Sequence, residues 1–164
     1  MRPTAAAFGN VAQWVSALCA IITLYFASNI FDQLKVTRQA SEVQAWQTVA
    51  RPQSDISTIL IRNPQLWPYF QENKPPPDRQ TEAERYAQVM ALADMHLEWI
   101  DSFQDPTIMR LEGMEEGGSL RALWEATFKA LFATSPALCL RLQQTRTFFQ
   151  ERLKQYARTA GCSV

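Results

Sequence analysis

Residues Val11–Phe31 read VAQWVSALCAIITLYFASNIF, and no charged side chain occurs between Arg2 and Asp32. At about 1.5 Å rise per residue this stretch, wound as a helix, covers roughly 31 Å, the thickness of a bilayer's hydrocarbon core. Its nine Val, Ile, Leu and Phe residues favour insertion by roughly 3–5 kcal/mol before polar costs. Gln13, Ser28 and Asn29 lie near the ends, while Ser16 and Thr23 can bond back to the preceding helical turn. No A-x-A pattern follows Leu24, and Leu18 before Cys19 does not suit lipoprotein processing. The stretch therefore predicts a retained transmembrane helix, with membrane lipid as its first partner. Trp14 falls at the interfacial level, where an indole is well accommodated.

Arg2 and the α-amino group stand before the span, Lys35 and Arg38 after it. The positive-inside bias then puts the C-terminal side in the cytoplasm, as a single-pass protein of a bacterial inner membrane. Cys19, Cys139 and Cys162 read as free thiols, and the chain has no N-x-S/T sequon, both in keeping with a reducing interior. Ala12, Ser16, Ala20, Thr23 and Ala27 form a small-residue face. Such a face lets a second helix approach closely, so self-association through the span is an expectation.

Outward from the span, no turn signal separates Phe31 from Asp32. Val36, Ala40, Val43, Trp46 and Ala50 recur at three and four up to Pro52. This predicts one helix continuing as a stalk over 32–51, after an N-terminal segment 1–31, with a cytosolic helical bundle over 52–164. In the bundle, Asp55–Arg62 reads as a helix and Asn63-Pro64 opens the short piece QLWPYF. Pro75-Pro76-Pro77 is a loop, and Thr81 to Glu84 reads as a capping box. The helix behind it carries the stripe Tyr86, Met90, Ala93, Leu97 and Ile100. After Asp105-Pro106 comes a short helix over 108–115. Ser119 then caps a helix facing Leu120, Leu123, Trp124, Leu131 and Phe132 inward. A last long helix runs from Pro136, with Leu138, Leu142, Phe149, Leu153 and Tyr156, to Gly161. The fold class is all-α: a membrane helix, a stalk and a small bundle.

The 16 basic and 16 acidic residues cancel, which disfavours a nucleic-acid binder that works by neutralising phosphate. The balance is uneven along the chain. Residues 55–116 hold twelve acidic and five basic side chains, a net of −7, while residues 121–164 hold two and seven, a net of +5. Complementary packing of the two halves is expected, rather than lipid contact through Arg141, Arg146, Arg152, Lys154 and Arg158.

Catalytic signatures are missing. No P-loop, G-x-G-x-x-G or G-x-S-x-G occurs. Asp94, Glu98 and Asp101 share a helix face beside the one histidine, His96. The Glu-x-x-His spacing of a di-iron bundle is absent, however, because Ala93 stands three before His96. No catalytic, cofactor-binding or metal-ligating residue is assigned, and no enzyme activity is expected. Trp46, Trp67, Trp99 and Trp124 are spread through the helices as a shared core would have them. Trp67, Tyr69 and Phe70 cluster before the proline loop and form a candidate docking patch.

The span Val11–Phe31, the helix through Gln47, N-P-x-L at Asn63–Leu66 and S-P-x-L at Ser135–Leu138 carry a resemblance. The layout resembles small bacterial single-span membrane proteins of unknown function with a cytosolic all-helical domain. That resemblance covers most of the chain and implies no activity. The function expected is a membrane-tethered helical interaction module, an adaptor or accessory subunit with an unidentified protein partner. The alternative is a membrane-anchored sensing module that binds a small ligand inside its bundle. A filled core with an exposed apolar or charged patch would favour the first, an enclosed apolar pocket the second.

Overall fold

The computed structural model describes residues 5–145 and 147–164, with side chains at position 30 and over 33–145 and 147–164. Among these residues the protein is all-helical. Its helices are α1 (Ala5–Arg62), α2 (Pro68–Gln71), α3 (Ala83–Ser102), α4 (Ser119–Thr134), α5 (Pro136–Thr145) and α6 (Glu151–Thr159). Two 3-10 turns, Pro64–Leu66 and Ile108–Arg110, lie between them. The second replaces the short helix expected over 108–115.

The chain divides into two compact units, Met1–Ser41 and Glu42–Val164. The division falls inside the stretch read as a stalk. Within the first unit Ile30, Leu34 and Val36 are exposed. The span over 11–31 and its small-residue face lie outside the residues whose side chains are described. Among the described residues, no helix is long and apolar enough to cross a membrane.

The second unit holds the core. Pro52 was expected to end the stalk helix; instead it lies inside α1. Proline removes one amide donor and crowds the carbonyl four residues back, here that of Thr48. The helix persists because Ala45, Val49, Ile56 and Leu60 are buried on both sides of Pro52, so packing holds both arms. The Trp99 indole also donates to the Val49 carbonyl at 3.0 Å, one residue beyond the acceptor that Pro52 strands.

In α3 the predicted stripe is the buried face: Met90, Ala93, Leu97 and Ile100 are buried and Tyr86 is half-buried. Its start differs from expectation. The first turn has no side-chain cap, so the Thr81–Glu84 capping box does not form. Asp78 organises the entry instead, its Oδ1 accepting from the backbone amides of Gln80 at 2.7 Å and Thr81 at 3.0 Å. Those donors hold its carboxyl below the usual aspartate range.

Along α4, Phe128 and Phe132 are buried, but Leu123, expected to face inward, is 61% exposed. The inward row runs through Trp124 and Phe128, and Leu123 lies one residue off it. Beyond α4 the expected single last helix is two, with α5 ending at Thr145 and α6 beginning at Glu151. Leu138, Leu142, Leu153, Tyr156 and Ala157 are nevertheless buried. The helix α6 ends as predicted at Gly161, which has φ +95°. The Gly161 amide donates to Arg158 and the Cys162 amide to Ala157, the hydrogen-bond pattern of a Schellman turn.

Candidate functional site

The junction between α5 and α6 creates the most distinctive surface feature. Phe148, Phe149 and Gln150 come from that junction; Glu98, Asp101 and Ser102 end α3; Gln104, Asp105 and Pro106 follow it. Together they line a groove of about 640 Å³. The two walls are tied by the Gln150 amide, which donates to Asp101 Oδ1 at 3.4 Å.

The groove combines negative charge with exposed aromatic surface. Three carboxylates line it, and no described lining residue is basic. The last turn of α3 also lacks a basic side chain, so the negative end of the helix dipole adds to the carboxylates. Burial raises the Asp101 carboxyl above the ordinary aspartate value, with the Gln150 amide opposing it. Asp105 moves the other way, because Thr107 donates to it, the backbone amide lying 2.7 Å from Oδ1. Beside these acids Phe148 is 82% exposed. Carboxylates next to an aromatic face suit an organic cation, such as a lysine or arginine side chain.

The candidates singled out in the sequence are placed differently. Of the docking patch, Tyr69 and Phe70 are buried and Trp67 alone is exposed, at 46%. The patch is therefore no three-residue surface. The reason lies in the Ser135-Pro136 junction, which clamps α2 from beneath. Ser135 Oγ donates to the Tyr69 carbonyl at 2.9 Å and Thr134 Oγ1 to the Phe70 carbonyl at 3.1 Å. Phe70 also stacks on His96, with ring centroids 4.8 Å apart.

The carboxylate face of α3 is split. Arg141 takes Asp94 with two bonds, Nε to Oδ1 at 2.6 Å and Nη2 to Oδ2 at 2.7 Å. Asp101 and Glu98 belong to the groove, and His96 turns into the core. Among the described residues no group of three or more His, Cys, Asp and Glu could hold a metal ion. Charge pairing between the acidic middle and the basic end is thus carried by Arg141 on Asp94. Arg152 instead meets Glu125 at 2.8 Å, while Lys154 and Arg158 pair with Glu151 of their own helix.

Beneath α6, Glu125 Oε1 accepts from Arg121, Arg152 and Tyr156. Burial and the Glu125 charge push the Tyr156 hydroxyl up to about 12. The enclosed space here, against Trp124, is about 10 Å³, the scale of one water.

The cysteines depart most from the sequence reading. Cys139 on α5 and Cys162 after α6 are joined by a disulfide, across 23 residues, with Cα atoms 5.3 Å apart. Only the return of the chain after α6 to the start of α5 makes the bond geometrically accessible.

Sequence reasoning also missed the groove, although one signal was present. Phe148 lies one residue off the row Leu142, Phe149, Leu153 and Tyr156, which leaves a large apolar side chain beside the stripe. No protein-family model, curated protein or solved structure matches this chain.

Proposed function

We propose that the chain is a membrane-tethered helical interaction module, an adaptor or accessory subunit of a bacterial inner membrane. Its uncharged stretch Pro3–Phe31 anchors it in lipid, and its bundle works in the cytoplasm by binding rather than by catalysis. The partner is a protein that presents a basic segment to the groove between α3 and the α5–α6 junction. The observation that carries this reading is the groove itself: three carboxylates, no basic residue among the described lining, and a phenylalanine left 82% exposed. The space under Trp124, about 10 Å³, is too small for a metabolite.

A photo-crosslinking residue at position 148 of the full chain, in native membranes, tests the proposal. A discrete adduct whose trapped peptide is rich in lysine or arginine is expected. It should be lost in the Glu98→Gln, Asp101→Asn, Asp105→Asn variant. Crosslinking to lipid alone, or adducts indifferent to those three changes, would overturn it.

A further inference from the structure

We propose that the Cys139–Cys162 disulfide is a redox-reversible clip that sets the position of one groove wall. The inference rests on the proposed function twice, on the groove as a docking surface for its consequence and on the cytoplasmic placement for its reversibility. The bond closes the segment between α5 and the C-terminal tail. That segment contains Phe148, Phe149 and Gln150, which form one wall, whereas the other wall, Glu98–Pro106, lies outside the closed loop.

Phe149 packs against the core, but among the described residues the wall's remaining ties are weak. Gln150 reaches Asp101 through a long 3.4 Å bond, the Phe148 amide bonds locally to the Thr145 carbonyl, and the Phe148 ring is in solvent. The clip, in contrast, is well placed at both ends. The turn at Gly161 aims Cys162 back toward α5, and Cys162 is buried at 8% exposure. Cys139 is half-buried, so an attacking thiolate meets its sulfur first.

Compartment supplies the reversibility. In the cytoplasm proposed above, glutathione and thioredoxin-class dithiols reduce disulfides, and bonds that form there are characteristically transient and redox-sensing. Reduction proceeds by thiolate attack on the Cys139 sulfur, giving a mixed disulfide and releasing the Cys162 thiolate, which takes a proton. A second reductant thiol resolves the mixed disulfide and Cys139 is released as a thiol. Two electrons and two protons enter the protein, and the reductant leaves as its own disulfide.

Leu153, Tyr156 and Ala157 are buried by contacts other than the clip, so α6 is expected to stay docked when the bond opens. What loosens is the tail and the wall over 147–150. The oxidised form holds the groove ready, and the reduced form weakens it.

The full chain in detergent, equilibrated with mixtures of reduced and oxidised glutathione, provides the test. Maleimide trapping reads the thiols, and hydrogen exchange with mass spectrometry reads the backbone of the same samples. Graded interconversion is expected without denaturant. On reduction, peptides covering 147–150 should exchange about threefold faster or more, with α3 unchanged. The Cys139→Ser, Cys162→Ser double variant should show the reduced pattern at every ratio. A bond that survives excess dithiol under native conditions would overturn the switch, as would equal exchange over 147–150 in both states. Neither readout depends on a captured partner, so failure of the clip and failure of the groove are told apart.

Discussion

His96 shows how one side chain couples packing to pH. Burial lowers its pKa from the ordinary 6.5, with the bond to the Leu92 carbonyl at 2.8 Å opposing the shift. The unfolded chain takes up a proton near that ordinary value and the folded one resists it, so the unfolded state binds more protons in acid. Stability is therefore complete above the unfolded value and declines as pH falls below it. Chemical-denaturation midpoints of the detergent-solubilised chain should drop between pH of about 7.5 and about 5.5. Replacing His96 by Gln should flatten that slope while lowering stability at both values; an unchanged slope would mean that His96 is not its source. Trp99 makes a second residue-scale case. Trp99→Phe keeps much of the ring but leaves the Val49 carbonyl without its indole donor beside Pro52, and should cost about 1–2 kcal/mol in the same measurement. At the entry to α3, Asp78→Ala should destabilise more than Thr81→Ala, because the carboxylate and not the threonine hydroxyl accepts the turn's amides.

Among the elements, the α5–α6 junction carries the site, and two changes probe it differently. Asp101 is held at a raised pKa by burial, so its ionised form opposes folding at neutral pH. Asp101→Asn should leave stability at neutral pH equal or higher, while weakening crosslinking from position 148. A fall in stability would show that the Gln150 bond outweighs the desolvation. Opening the clip acts on the chain's freedom. In the chain-entropy account, a closure of this length constrains the unfolded state by about 3 kcal/mol. Melting in the presence of dithiol should drop accordingly, and α6 should still be protected from exchange. The period-3.6 pattern runs through Leu138, Leu142, Phe149, Leu153 and Tyr156 without a glycine or proline, which is why the break was illegible. A hydrophobic period survives when a helix is cut and both pieces keep the same buried side.

For the whole molecule, the anchor proposal makes the plainest prediction. The intact chain should pellet with membranes and resist carbonate extraction, and recovery in the soluble fraction would sink it. A fluorescent protein fused after Val164 should be bright and a phosphatase fused there inactive if the bundle is cytoplasmic. The reverse would mean that the Lys35 and Arg38 bias had been misread, and would make the Cys139–Cys162 bond a permanent structural one.

The all-helical class, the buried stripe of α3 and the glycine turn after α6 were determined by the sequence alone. Each depends on local spacing or on one residue's backbone preference, which neighbours along the chain express. Only the tertiary structure decided that α1 runs through Pro52, because burial of Val49 and Ile56 on either side overrides what proline does locally. It decided that Tyr69 and Phe70 are core, because the Ser135 junction, 66 residues away, grips the Tyr69 carbonyl. It brought Phe148 beside Glu98 and Asp101, and Cys139 beside Cys162. Such pairings depend on where separate helices meet, and a linear pattern of apolar and polar residues specifies the face of each helix without specifying its neighbour.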